Sequence, residues 1–455
     1  MQKNLFSGSF MDMLDSQDPL IVLADKLPWS KVELELQQFY NNTKVGRPNK
    51  PIRLMVGLLL LKQLKNLSDE RIVEEWKQNP YLQYFCGFVD YTPSLPCHAT
   101  ELVKFRNRIG KTGMEAIFKM SVELHGDAAK ESQVIVDSTV QQSNMTFPTD
   151  GKLAIKIIVK LLKIAKNENI KLRRSFKKEI KQLRIQLRFF RHPKKLKKAL
   201  GAMKRLRQIA MIILRDIDRK FDDNLDIHTK YAESFYLFNR VLKQEKHTPN
   251  KIYSLHELDA YAINKGKDHK GYEFGTKASI VTTKKSGIIV GVSAHKHNIH
   301  DSKTLDEALG NAVSNVGDKV ITEAICDRGY RGMKETIINN NSITISIPGV
   351  KLKRDTKKQI NIKREKFKRR AAIEPIIGHL KSDHRMERNY LKGFKGDEIN
   401  LLLAATAFNL KKWMRIYLCA LFLQDYILLE VSAKQIQRLK SLYQILIVIK
   451  LGFRF

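Results

Sequence analysis

The stretch SQVIVDSTV, residues 132–140, decides the fold. Val134, Ile135 and Val136 are consecutive β-branched residues, and Asp137, Ser138 and Thr139 then turn polar. A short apolar run of this kind predicts a buried strand that ends in a polar turn. Downstream, YEFGTKASIVTT (272–283) and GIIVGVSAH (287–295) are separated by the turn residues KKSG and predict a hairpin. A helix opening near Ser302 follows, and DKVITEAICD (318–327) is a second short apolar strand that ends at an acid, Asp327. ITISIPG (343–349) is the last strand-like piece. The order strand, long helical segment, hairpin, helix, strand, helix is an α/β plan carrying an inserted domain.

Residues 1–130 read as an all-helical N-terminal domain. PIRLMVGLLLLKQL (51–64) is a strongly apolar helix with Pro51 in its first turn. Ser68 and Asp69 can cap SDERIVEEWKQ, and Thr100 can cap ELVKFRNRIG, a third helix with a basic outer face. Short connections suggest a small bundle, suited equally to DNA reading by a helix-turn-helix and to dimerisation or packing. The α/β domain spans 131–412, interrupted at about 153–245 by a helical insertion. Residues 413–455 form a helical tail of unknown role.

The 82 Lys and Arg outnumber the 47 Asp and Glu, leaving a formal charge of +35 on 455 residues. So large an excess in a chain of ordinary hydrophobicity points to a polyanionic partner, with nucleic acid foremost. Residues 151–220 alone hold 24 Lys and Arg against 4 Asp and Glu. Apolar Ile155, Ile158, Val159 and Leu162 recur there at helical spacing, so the segment is a folded insertion with a phosphate-binding surface. The stretch KLKRDTKKQINIKREKFKRR (351–370) is polar and basic enough to lack order without a partner. No run reaches the roughly 18 apolar residues of a spanning helix, and the N-terminus lacks the pattern of a secretory signal. Four scattered cysteines, Cys86, Cys97, Cys326 and Cys419, read as reduced thiols of a cytosolic protein.

The next segment, KRRAAIEPIIGHLK (368–381), sets one carboxylate among bases. On helical geometry Arg370, Glu374, Lys381 and the later Arg385 fall within about 40° of one face. Ile373, Ile376, Ile377 and Leu380 fall on the other. Two readings stand: an Arg370–Glu374 ion pair on a solvated face, or a metal-binding acid among phosphate-holding cations. Pro375 adds that Glu374 can be an N-cap, with the helix starting at the proline. Asp137 and Asp327 share a context, each at the carboxyl end of a buried strand, where α/β sheets place their sites. Each can instead cap its own turn. Three carboxylates from separate elements can converge on Mg²⁺, which prefers oxygen ligands and keeps part of its water shell. Two such ions roughly 4 Å apart can act on a phosphodiester. The cluster HKHNIHD, with His295, His297, His300 and Asp301, offers zinc ligands as a minor reading and a border to a DNA groove as the main one. Lys270, Tyr272 and Lys277 are either edge-strand surface residues or DNA contacts. No phosphate loop, dinucleotide loop or nucleophile elbow occurs, which disfavours ATP-driven and acyl-transfer chemistry.

These residues resemble the DDE transposases of bacterial insertion sequences, whose catalytic domain is ribonuclease-H-like. One large group carries Tyr, two residues, Arg, three residues, Glu, six residues, Lys; here Phe367, Arg370, Glu374 and Lys381 hold those spacings, with Phe in place of Tyr. VIVDST and ICDRGYRG match the first and second acids, and GLLLLKQLKNLSDERIVEEWKQNPYLQYFCG, KGYEFGTK and AHKHNIHDSKTL are also similar to that family. The resemblance runs from about residue 30 to 412. It implies that Asp137, Asp327 and Glu374 bind two Mg²⁺ ions, replaceable by Mn²⁺, to cleave DNA and transfer strands. It implies DNA contacts by Arg370, Lys381, Arg385, Arg328, Tyr330, Lys270 and Lys277. Double-stranded DNA, as terminal inverted repeats and target, is the expected partner, with at least a homodimer in the synaptic complex and the nucleoid as its location. Phe367 lacks the phenol, so any hydrogen bond from that position to DNA is lost. A metal-dependent nuclease and an inactive DNA-binding relic are the alternatives.

Overall fold

The computed structural model describes residues 13–40, 48–221, 225–267, 270–349 and 356–452. The N-terminal part includes, among the described residues, α1 (Pro19–Lys26), α2 (Trp29–Gln37), α3 (Ile52–Leu64), α4 (Asp69–Gln78), α5 (Pro80–Phe85) and α6 (Ala99–Glu123). Helix α3 is apolar on every side, and residues 54 to 63 are all buried, as expected of a helix enclosed by its neighbours. Ser68 caps α4, its hydroxyl accepting from Arg71 N at 3.2 Å. The cap of α6 is His98, two residues before the expected Thr100. Its Nδ1 accepts from Thr100 N, and Glu101 accepts from His98 N in return, which closes a capping box. Helix α6 also continues past the expected Gly110, which bends it at φ 60°, a conformation that costs glycine little.

The sheet has seven strands: β1 (Gln133–Gln142), β2 (Tyr261–Lys267), β3 (Lys270–Thr283), β4 (Ile289–His295), β5 (Glu323–Ile325), β6 (Glu335–Ile338) and β7 (Asn341–Ser346). The order is β2-β3-β1-β5-β7-β6, with β4 following β2 along the same side of β3. Strands β1, β3 and β4 are antiparallel, whereas β5 runs parallel to β1 and β7 parallel to β5. The hairpin expected at 272–295 is present. Strand β5 keeps only three residues of the expected run, because Lys319 takes φ 64° and turns the chain before it. Strands β6 and β7 meet through Asn339 and Asn340, both at positive φ, the backbone that a two-residue hairpin needs.

Between β1 and β2 lie α7 (Asp150–Asn167), α8 (Lys177–Leu187), α9 (Leu196–Phe221) and α10 (Leu225–Lys243). They enclose an apolar core of their own, with Leu153, Ile157 and Leu161 against Leu206, Ile209 and Ile213, and with Phe221, Phe235 and Phe238. A second core joins the N-terminal helices to the sheet and to α11 (Leu305–Val316). The final elements are α12 (Lys357–Lys368), α13 (Ile373–Ser382) and α14 (Gly393–Gly452). Residues 399–410 of α14 are buried all round between the N-terminal helices and β4. No helix among the described residues is long and apolar enough to cross a membrane.

Two expectations for 351–385 are corrected. Residues 350–355 lie outside the described residues, but 357–368 is helical. Thr356 caps it, its hydroxyl accepting from Gln359 N while Gln359 Oε1 accepts from Thr356 N. The basic face around Glu374 is not one helix either, because a 3₁₀ turn at Arg370–Ala372 separates α12 from α13. Arg370 therefore precedes α13, and Arg385 follows it at φ 61°. Glu374 is the second helical residue, with Ala372 as N-cap. Pro375 is tolerated beside it because the first N–H groups of a helix have no intrahelical acceptor to lose.

Buried polar contacts fasten α14 to the sheet. Gln141 Nε2 donates to the Asp397 carbonyl at 3.0 Å, Asn389 Nδ2 donates to Asp397 Oδ1 at 2.7 Å, and Thr276 Oγ1 donates to Asp397 Oδ2. Burial pushes the Asp397 carboxyl up to about 6, against the pull of those donors and with help from Glu257. Between about pH 4 and 6 the folded state then holds a proton that the unfolded chain has released. Stability from this group thus falls as pH rises through that window, by an amount on the order of 2–3 kcal/mol. Asp397→Asn is expected to remove this slope. Urea unfolding of both proteins at pH 4.5 and 7 checks it, and equal pH dependence in the two refutes the assignment.

Candidate active site

Ile135 of β1 pairs with Ile325 of β5, and the two strands run parallel. Asp137 and Asp327 each lie two residues beyond that pair, so the register brings them level on neighbouring strands. Asp137 is not at the end of its strand as expected. Strand β1 continues to Gln142 against β3, and the acid sits where β5 has already ended. Both side chains are half-buried. Asp137 Oδ1 accepts from Ser138 N at 2.7 Å, and Asp327 Oδ1 accepts from Gly329 N at 2.8 Å, capping a 3₁₀ turn. Each aspartate thus holds the backbone beside it, the local role that its position in the sequence allows.

Strand alternation puts Asp137 on the same face as Gln141, which meets Asp397 and Asn400 of α14. Helix α13 packs against β1 through Ile373, Ile376 and Leu380. Glu374 is exposed in its first turn. Among the described residues, no three His, Cys, Asp or Glu side chains lie close enough to hold an ion. The parallel register thus sets Asp137 and Asp327 at level positions, and Glu374 lies exposed at the start of α13. The donor set, all carboxylate oxygen, fits a hard divalent cation and not zinc.

Several residues expected to contact DNA have protein partners in the structure. Tyr330 is 0% exposed, packed in the core beneath the acids, and cannot reach DNA. Burial pushes its phenol pKa well up, as do Asp301, Cys326 and Asp137 nearby. Lys277 is 9% exposed and pairs with Asp301 at 3.1 Å, so it is a buried ion-pair member and not an open cation. Arg385 stacks over Tyr390 at 5.3 Å and donates to Asn66 O at 3.2 Å, which turns it toward the N-terminal helices. Arg328 is exposed, and Arg370 and Lys381 are half-exposed. Lys270 begins β3, and its side chain lies outside the described residues.

The histidines have separate duties. His295 Nε2 lies 2.9 Å from Ser279 Oγ, and its Nδ1 is 3.4 Å from Glu307. His297 is exposed, and His300 Nδ1 accepts from Ser302 N to cap its own turn. That arrangement leaves no shared zinc centre among them. Sequence reasoning missed Asp301 as a partner of the acids: its Oδ1 accepts from Ser138 Oγ at 2.9 Å. The only available signal was its place in a histidine cluster, which drew attention to metal ligation instead.

Comparison with known proteins gives a consistent result. Residues 8–108 match the family described as Transposase domain (DUF772), and residues 243–410 match Transposase DDE domain. A Rhizobium meliloti protein, "Uncharacterized protein ORF8 in nfe locus", is 37% identical over 196 residues, covering 42% of this chain and 94% of that protein. No solved structure matches. The DDE match contains Asp327 and Glu374, the helical match covers α1 to α5 and the start of α6, and β1 and helices α7 to α10 lie between the two. The chain therefore belongs to the DDE transposases of insertion sequences.

Proposed function

We propose that this transposase cleaves DNA at the terminal inverted repeats of its element and joins the freed 3′-hydroxyls to target DNA. Asp137, Asp327 and Glu374 are the divalent-ion ligands in this reading, and Mg²⁺, replaceable by Mn²⁺, is the ion. When bound, two such ions activate the attacking oxygen and stabilise the leaving one in an in-line displacement. The observation that carries the reading is the parallel register of β1 and β5, which sets Asp137 beside Asp327 in a chain of this family. The strand order β4-β3-β1-β5-β7, three antiparallel strands and then two parallel, supports a ribonuclease-H-like domain over 131–412.

The chain's own residues divide the remaining work. Backbone N–H groups of Ser138 and Gly329 hold the two aspartates in place before DNA arrives. Glu374 completes the set when DNA draws the start of α13 toward them, and Arg328, Arg370 and Lys381 hold phosphates beside it. The spacing of Phe367, Arg370, Glu374 and Lys381 supports placement in the Tyr-Arg-Glu-Lys group. The basic surface of α7 to α9 holds DNA further from the cut, since phosphate contacts position the duplex without reading it. Joining two ends requires at least two protomers.

The test uses purified protein, Mg²⁺ and the DNA flanking its own gene, with strand breaks mapped and Glu374→Gln alongside. Breaks at the tips of inverted repeats, lost in the variant, are the expected result. Breaks without strand-transfer products point to a nuclease. Binding without breaks in either protein points to a relic kept for its basic surface.

A further inference from the structure

Asp301 lies outside the three acids of the signature, yet one of its carboxylate oxygens bonds the residue that holds one of them and the other faces the residue that holds a second. Oδ1 accepts from Ser138 Oγ at 2.9 Å, and Ser138 is the residue whose N–H is donated to Asp137. On the other side, a Cβ built on Gly329 would stand 2.9 Å from Asp301 Oδ2 and 2.9 Å from Asp327 Oδ1. Gly329 is the residue whose N–H is donated to Asp327. One carboxylate thus lies between the two anchor residues, and any larger side chain at 329 must displace it or Asp327.

Asp301 is itself held firmly. Lys277 Nζ sits 3.1 Å from its Oδ1 and donates to Ile299 O at 2.7 Å, which ties down the loop before it. The Asp301 carbonyl accepts from Thr304 N at 3.0 Å and from Thr304 Oγ1 at 2.7 Å. Lys277 is buried, so its charge depends on Asp301 for compensation. Strands β1 and β3, the loop 296–301 and the turn after β5 therefore meet at one ion pair.

We infer that the Asp301–Lys277 pair is a positioning device: it sets the separation of Asp137 and Asp327 and so their affinity for divalent ions. This rests on the reading that those two acids hold the ions. Asp301 acts through Ser138 and Gly329 and is a positioning residue, not a ligand.

The test is Mn²⁺ titration of the full-length protein, with free ion followed by electron paramagnetic resonance, beside thermal unfolding of each variant. Asp301→Asn keeps the size and an acceptor for Ser138 but strands the Lys277 charge. It is expected to weaken Mn²⁺ binding about tenfold, as loss of a partner behind a metal ligand does. Adding Lys277→Met removes the stranded charge and recovers part of that loss. Gly329→Ala keeps both charges of the ion pair but sets a methyl against Asp301 Oδ2 and Asp327 Oδ1, which displaces Asp327, and it is expected to weaken binding by a similar factor; it carries the test if Asp301→Asn does not fold. A purely structural role moves the unfolding midpoint and leaves the affinity of the folded protein unchanged. Unchanged affinity in the folded variants, with Asp137→Asn abolishing binding, overturns the positioning role and leaves the functional reading intact. Binding that survives Asp137→Asn overturns the functional reading and this inference with it.

Discussion

Replacing either Asp137 or Asp327 with asparagine is expected to remove DNA cleavage while sparing the fold. The loss should be on the order of a thousandfold or more, because each carboxylate supplies negative charge at the point where phosphoryl transfer needs an ion held. Asparagine has the same shape, and its Oδ1 can still accept the N–H that each aspartate now accepts, from Ser138 and from Gly329. The turn after β5 and the centre of β1 thus lose no local hydrogen bond. Two half-buried carboxylates, one on β1 and one at the turn after β5, also carry like charge, so each variant should unfold at or slightly above the wild-type midpoint. Cleavage rates in Mg²⁺ together with thermal unfolding make the comparison. A variant that cuts at the wild-type rate removes its aspartate from the site. A variant that loses both cutting and cooperative unfolding shows that the acid supports the fold.

The part of this site legible in the sequence is the part written in local pattern. Val134 to Val136 and the run before Asp327 show buried strands through consecutive apolar residues, and an acid at the end of each is visible without any coordinates. The hairpin of β3 and β4 was legible for the same reason. Contacts between distant segments were not. Ser138 and Asp301 are 163 residues apart in the chain, and nothing local to either marks them as partners. Tyr330 follows Arg328 and Gly329 in a segment that reads as surface loop, yet the turn capped by Asp327 folds its ring into the core. Charge misled elsewhere. The basic run at 351–370 masked the capping box of Thr356 and Gln359, a short-range signal that the sequence does contain. The helical wheel around Glu374 assumed an unbroken helix, and the 3₁₀ turn at Arg370–Ala372 and the positive φ of Arg385 removed both ends of its basic face.

Asp69→Asn is expected to be the most destabilising conservative change in the N-terminal helices, at about 3–5 kcal/mol. Asp69 stands at the start of α4 between two buried cations: Lys62 Nζ at 2.8 Å, and Arg106, whose NH1 and NH2 reach its two oxygens at 2.9 and 2.5 Å. Lys62 is 5% exposed and Arg106 is 3% exposed. Removing the acid that both cations share leaves two buried positive charges facing each other. Burial lowers the Lys62 ammonium to about 8 even with Asp69 beside it. Arg106 and Lys62 outweigh desolvation at Asp69 and hold its carboxyl at about 2. The signs follow from these shifts. The stability supplied by Asp69 is fully present above about pH 4, the ordinary carboxylate range, and is lost as pH falls toward 2. The deficit of the variant should therefore be greatest near pH 5. It should shrink as pH rises toward 8, because Lys62 without Asp69 sheds its proton below the pH at which the wild-type ammonium does and leaves Arg106 as the charged partner. Lys62→Met provides the contrast, because it removes the cation that burial disfavours and keeps the two-pronged Arg106–Asp69 pair, so its cost should be about 1 kcal/mol or less. Urea unfolding of both variants at pH 5, 7 and 9.5 decides the matter. A cost below 1 kcal/mol for Asp69→Asn at pH 7 would mean that water enters the cluster and screens the two cations, contrary to their burial.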